Sequence, residues 1–191
     1  MCGIFAILSK NNFNLIHQCI EALEYLEYRG YDSVGITFKQ TNINKIKTIK
    51  TKGKVKDLKI NIKDIDYQSN MIMGHTRWAT HGVPSEANSH PHVSMNNIFC
   101  LVHNGIIENC DQYRKILLEN NYKLIGKTDS EILVNYIEFC YLSIKKDFEL
   151  RNEPITINVI IDSIKYSIKK VIGTYGIVLY KIDTPDKLFI L

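Results

Sequence analysis

Hydrophobic residues along the chain change their period several times, and each change marks an element. From Gly3 to Ser9 the run "GIFAILS" is short and nearly unbroken, the pattern of a buried strand. Ile16, Ile20, Leu23 and Leu26 then recur at helical spacing, and Gly30 follows as a stop signal. "SVGITFK" has the β-branched character of a second strand. "NKIKTIKTKGKVK" alternates Ile with Lys or Thr and predicts a strand with one wet face, while "DLKINIKDIDYQSN" reads as a helix or an irregular connector. "MIMGH" predicts another strand.

The polar stretch "TRWATHGVPSEANSHPH" breaks the pattern. Gly82, Pro84, Asn88 and Pro91 disfavour regular structure there, so a long loop is expected, and loops of that length in compact domains usually carry function. "NIFCLVHNG" predicts a buried strand ending in a turn at Asn104-Gly105. Three helices follow: "DQYRKILLENN", started by Asp111; a longer one from "TDSE", with Thr128 and Glu131 at capping-box spacing; and one carrying Ile157, Ile160, Ile161, Ile164, Ile168 and Val171. "GIVLYKI" and "LFIL" close the chain as strands. The order predicts a layered α+β domain. A final apolar strand with no successor would be an exposed edge, so the expectation is a domain over residues 1–191 that is incomplete at its C-terminus.

Composition narrows the class. The chain has 191 residues, 45% hydrophobic and 23% charged, enough for one sizeable core, and its net charge of +4 gives little support to nucleic-acid binding. The Lys-rich stretch from Lys45 to Lys63 lacks the interleaved aromatics of a strand-tracking groove. No run approaches the roughly 20 apolar residues that span a bilayer, and no signal segment is evident. Five irregularly spaced cysteines (Cys2, Cys19, Cys100, Cys110, Cys140) argue against a disulfide framework, and a cytoplasmic location is expected. His75, His81, His90 and His92 lack the spacing and Cys partners of a zinc site, so neither metal nor cofactor is expected.

Four segments carry candidate chemistry: "MCGIFAIL", "HTRWATHG", "VHNGIIEN" and "TDSE". Each has an ordinary explanation as buried thiol, Arg–Trp stack, tight turn and helix cap. Together they hold a nucleophile in Cys2, a carboxylate-binding guanidinium in Arg77, oxyanion donors in Asn104 and Gly105, and an ammonium-binding carboxylate in Asp129. That is the inventory needed to hydrolyse the side-chain amide of a free amino acid.

With "LEYRGYDSVGI", "GHTRWATHGVPSEANSHPHVS" and "KTDSE" in the same order, the chain resembles the class II glutamine amidotransferases. Within them it resembles most the glutaminase domain of glutamine–fructose-6-phosphate aminotransferase, with Tyr31-Asp32-Ser33 as the local discriminator. The resemblance implies an N-terminal-nucleophile hydrolase fold, a four-layer αββα sandwich of two antiparallel sheets. It also implies that removal of Met1 frees Cys2, whose α-amine acts as base. Asn104 and Gly105 would form the oxyanion hole, Arg77 and Asp129 would hold glutamine, and Trp78, Thr80 and His81 would close over it. Ammonia would pass to isomerase domains absent from this chain, which turn fructose 6-phosphate into glucosamine 6-phosphate in a homo-oligomer. Two alternatives remain open: the glutaminase of another class II enzyme, or a glutaminase-like remnant that does not turn over.

Overall fold

Strand alternation sorts the apolar side chains into three packed layers. The structure is a computed structural model that describes residues 2–40, 45–63, 68–79, 82–184 and 186–191. Its elements run β1 (Gly3–Phe13), α1 (Ile16–Leu26), a single 3₁₀ turn (Glu27–Arg29), β2 (Ser33–Lys39), β3 (Ile46–Lys52), α2 (Val55–Ile62) and β4 (Ser69–Arg77). Then follow β5 (His92–Val93), β6 (Phe99–Ile107), α3 (Cys110–Glu119), α4 (Asp129–Leu150), α5 (Ile157–Ile168), β7 (Gly173–Lys181) and β8 (Leu188–Ile190). Two four-stranded sheets form, ordered β1-β4-β2-β3 and β5-β6-β7-β8, with every paired strand antiparallel.

Because successive strand residues point to opposite faces, each sheet divides its side chains between two layers. In β4, Met71 and Met73 face Cys100 and Val102 of β6 and Val178 and Tyr180 of β7, which makes the core between the sheets. Ile72, on the other face, packs with Ile20 and Leu23 of α1 and Leu58 of α2. Phe99 and Leu101 turn outward against Leu133 and Ile137 of α4 and Ile164 of α5. The result is helices, sheet, sheet, helices: the expected four-layer αββα arrangement. Each fully buried Leu, Ile, Met or Phe in these layers contributes about 1.5–3 kcal/mol relative to exposure.

The elements depart from the sequence expectation in informative places. β1 continues to Phe13, with a register shift between Leu8 and Phe13. β3 is partly buried on both faces instead of having one wet face: Ile46 packs toward the inter-sheet core and Ile49 toward the helices. The ambiguous stretch after it is helical as far as Ile62, and 64–67 lie outside the described residues. Half of the expected capping box forms at α4. Thr128 Oγ1 accepts the Glu131 N–H at 3.1 Å, but the Glu131 carboxylate turns away to accept the N–H groups of Ile125 and Gly126 at 2.7 and 2.8 Å. That carboxylate pins the segment leading into the helix. Among the described residues, no helix is long and apolar enough to cross a membrane.

Candidate active site

The same alternation that builds the inter-sheet core also builds the site. On β4 the inward positions continue from Met71 and Met73 to His75 and Arg77; on β6 they continue from Cys100 and Val102 to Asn104. On β1, Ile4 and Ala6 pack into that layer, and Cys2 precedes them in the same phase. One end of the layer is therefore apolar and the other polar, and the polar end gathers side chains from both sheets.

Cys2 sits where β1 and β4 meet. The Trp78 backbone N–H points at Cys2 Sγ from 3.2 Å, and the carbonyl of Cys2 accepts from Asn104 Nδ2 at 3.0 Å and from Arg29 Nε at 3.2 Å. A pocket is lined by Cys2, Arg77, Trp78, His90, His103, Gly105, Thr128, Asp129 and Ser130. It thus brings together Cys2, Arg77, Trp78, Gly105 and Asp129, and Asn104 joins them through its bond to Cys2. Thr80 and His81 lie outside the described residues.

Two local expectations are corrected. Arg77 is the last residue of β4 and not a loop residue, because Thr76 and Arg77 still pair with β1 or β2. Asn104 and Gly105 are not a turn: β6 runs on to Ile107, pairing with β7 throughout. Gly105 holds a φ of +134°, a conformation that disfavours any side chain, and a Cβ there would lie 1.9 Å from the Thr174 carbonyl oxygen. Only glycine fits that strand position.

Arg77 is 4% exposed, and its guanidinium donates to the Gly82 carbonyl at 3.3 Å. Burial lowers its pKa from the usual value, while Cys2, Asp32 and Asp129 nearby oppose that shift. Asp129 opens α4. One of its oxygens accepts the Ile107 N–H at 2.9 Å and the other the Ser130 N–H at 2.9 Å, so its carboxylate is fixed at the helix N-terminus, where negative charge is favoured.

Sequence reasoning missed part of the support. Asp32, noted only as a family marker, accepts the Ala79 N–H at 2.7 Å, and its own N–H donates to the Arg77 carbonyl at 3.0 Å. The Tyr31 ring meets Trp78 edge-on at 5.3 Å. Gly30 adopts extended backbone against the Arg77–Trp78 peptide, where a Cβ would lie 2.6 Å from the Arg77 carbonyl carbon. The Tyr-Asp pair therefore grips the segment that follows Arg77. The available signal was the density of Gly and charged residues straight after a helix stop.

Four histidines are buried at the pocket: His90 and His103 line it, and His75 and His92 lie behind them. Their rings stack instead of converging on a common point: His75 lies flat on His90 at 4.1 Å, and His92 meets His90 edge-on at 4.7 Å. Among the described residues, no three His, Cys, Asp or Glu side chains form a metal-holding group. His90 Nδ1 accepts the His103 N–H at 3.3 Å, and His92 Nε2 meets Thr128 Oγ1 at 3.1 Å, so both shape the loop through hydrogen bonds as expected. Burial pulls all four pKa values down, that of His75 to about 3. Cys19, Cys100 and Cys140 are packing residues, with burial pushing Cys100 up to about 12 and Cys140 to about 11. Such thiols are inert at neutral pH.

Comparison with known proteins places this geometry in context. The family described as "Glutamine amidotransferases class-II" matches residues 1–179. Glutamine–fructose-6-phosphate aminotransferase (isomerizing) of Clostridium perfringens is 37% identical over 188 residues, 98% of this chain and 28% of that protein. The enzyme of the same name from Pseudomonas putida is 36% identical over the same shares. The chain therefore spans under a third of the length of these curated relatives. Among solved structures, the glutamine phosphoribosylpyrophosphate amidotransferase of Bacillus subtilis superposes with a TM-score of 0.68 at 22% identity, covering 95% of this chain and 35% of that one. A class-II glutamine aminotransferase domain protein from Silicibacter pomeroyi gives 0.51 at 13% identity, over 94% and 73%. These structural likenesses bear on the fold.

Proposed function

The chain belongs to the class-II glutamine amidotransferases, and from that premise we propose that residues 1–191 form a glutaminase domain whose nucleophile is Cys2. L-Glutamine is the substrate, and L-glutamate and ammonia are the products. The observation that carries this reading is the convergence of Cys2, Arg77, Gly105 and Asp129 on one pocket, with Asn104 bonded to the Cys2 backbone.

Removal of Met1 gives Cys2 a free α-amine, whose reference pKa of about 7.7–8.0 lies near that of a thiol, about 8.5. The amine takes the thiol proton as sulfur attacks the carboxamide carbon, and it returns that proton to the departing ammonia. Asn104 has two amide hydrogens. One is engaged by the Cys2 carbonyl, which leaves the other for the oxyanion, with the Gly105 N–H as the second donor. Arg77 pairs with the substrate α-carboxylate and Asp129 with its α-ammonium. Trp78, with Thr80 and His81, closes over the bound amino acid. Water then hydrolyses the thioester to glutamate.

By analogy with the longer relatives, the ammonia goes to fructose 6-phosphate to give glucosamine 6-phosphate in isomerase domains of a homo-oligomeric enzyme. A cytoplasmic setting suits a partly exposed nucleophilic thiol that must stay reduced. The test is ammonia release from glutamine by protein whose Met1 is shown by intact mass to be absent, beside Cys2→Ala. Equal rates for the two would overturn the reading.

A further inference from the structure

His75 touches no part of the pocket surface, yet it holds the atom on which the oxyanion hole depends. Its Nε2 lies 3.0 Å from Asn104 Oδ1 and 3.1 Å from the His103 carbonyl oxygen. The far end of the same carboxamide, Asn104 Nδ2, lies 3.0 Å from the Cys2 carbonyl oxygen. A carbonyl oxygen only accepts, so the two backbone carbonyls settle every role in between. His103 O requires a proton on His75 Nε2, and Cys2 O requires the NH₂ end of Asn104 to face Cys2. The remaining contact, Nε2–H to Oδ1, is then donor to acceptor. His75 Nδ1 is left without a hydrogen-bond partner. The ring plane is set by stacking on His90, which is itself fixed by the His103 N–H.

We propose that His75 is a positioning residue that locks the Asn104 carboxamide with its NH₂ toward Cys2, through the neutral Nε2–H tautomer. This rests on the glutaminase reading above. An unrestrained carboxamide can turn over by half a rotation and present its oxygen where negative charge develops, replacing a donor by a repulsive dipole. Burial keeps the imidazole neutral in the working pH range. A charged imidazolium would also need an acceptor at Nδ1, and none is within reach.

Two measurements test this on the Met1-processed protein. Nitrogen NMR of the wild-type imidazoles should show His75 as the Nε2–H tautomer, unchanged from about pH 8 down to about pH 5; the Nδ1–H tautomer or an imidazolium overturns the proposal. In kinetics, His75→Leu should lower kcat for glutamine by about 100- to 1,000-fold, as loss of one oxyanion donor does, with KM within about threefold. His75→Gln, whose amide can supply the same N–H, should recover kcat to within about tenfold of wild type. Iodoacetamide alkylation of Cys2, which needs no oxyanion hole, should proceed alike in all three proteins. A His75→Leu variant with wild-type kcat, or a Gln variant no better than Leu, overturns the positioning role and leaves the glutaminase reading standing. Wild type no faster than Cys2→Ala overturns both.

Discussion

The Trp78 backbone N–H faces the Cys2 sulfur across 3.2 Å, with Gly30 standing directly behind that peptide. A methyl at position 30 would come within 2.6 Å of the Arg77 carbonyl carbon and 2.8 Å of the Trp78 nitrogen, both backbone atoms that cannot swing aside. Gly30→Ala should therefore push the Arg77–Trp78 peptide out of line. Misplacement of about 1 Å near reacting groups lowers rate by about 100-fold, and that is the kcat loss expected in a glutaminase assay. Thermal unfolding should show a destabilisation of about 1–3 kcal/mol from overpacking.

Asp32 ties the segment after Arg77 to the end of the first helical layer through the Ala79 N–H. Hydrogen bonds to charged groups contribute about 1.5–3 kcal/mol, so Asp32→Ala should raise the KM for glutamine by roughly 10- to 100-fold. Asp32→Asn keeps an acceptor and should lie between the two. An unchanged KM in the Ala variant would show that this anchor does not bear on substrate binding.

Asp129 offers a test of substrate orientation in which a substrate analogue separates charge pairing from any structural effect. Asn in its place keeps one acceptor oxygen, enough for the Ile107 or the Ser130 N–H but not both, and it lacks the charge proposed to pair with an α-ammonium. Asp129→Asn should raise the KM for glutamine at least about tenfold, the loss of one charge-assisted contact. For the analogue lacking the α-amino group, the wild-type and variant KM values should agree. Equal effects on both compounds would mean that Asp129 acts through structure alone.

The stacked histidines make the fold sensitive to acid. A group whose folded pKa is lowered binds fewer protons when folded than when unfolded, so stability is complete above the unfolded value and declines as pH falls. For His75 that decline begins near pH 6.5 and ends near pH 3. His90, His92 and His103 are shifted the same way, and the positive charges of Arg77 and Lys50 reinforce burial at His92. Each histidine adds about 1.4 kcal/mol per pH unit within its window. Denaturant midpoints should therefore fall steeply between pH 6.5 and pH 4, and His92→Gln should flatten that slope by about one proton's worth.

Glu138 is wholly buried at the middle of α4 and accepts from Ser94 Oγ, from the backbone and side chain of Asn96, and from the Ile98 N–H. Glu138→Ala strands those donors. A loss of about 3 kcal/mol in unfolding free energy is expected, since unmade buried hydrogen bonds carry about 1–3 kcal/mol each and the site can partly relax.

How much of this was legible in the sequence depends on whether a signal was local. The strand "SVGITFK" matches β2 residue for residue, since β-branched runs bounded by turn residues speak for themselves. The helix over Ile157–Ile168 was equally plain from its periodicity. "HNG" misled, because Asn-Gly is a turn signal in isolation, whereas here the pairing with β7 carries the strand straight through it. β3 misled for the same reason: its second face is partly covered by a core that nothing in its own residues announces. At the site, Cys2, Arg77 and Asp129 were marked by residue type. His75 was visible only as a histidine, because its meaning comes from two distant carbonyls, one just before β1 and one on β6.

The placement of Cys2 beside the first strand and of Asn104 on β6 has a consequence for how the protein becomes active. They are 102 residues apart, and the strands that present them belong to different sheets. Neither half of the sandwich holds both residues, so under the proposed roles a chain with only one sheet formed has no partial competence. On that reading turnover requires the second sheet to be docked on the first. The appearance of glutaminase activity in newly made protein would then report the moment at which the two sheets have come together.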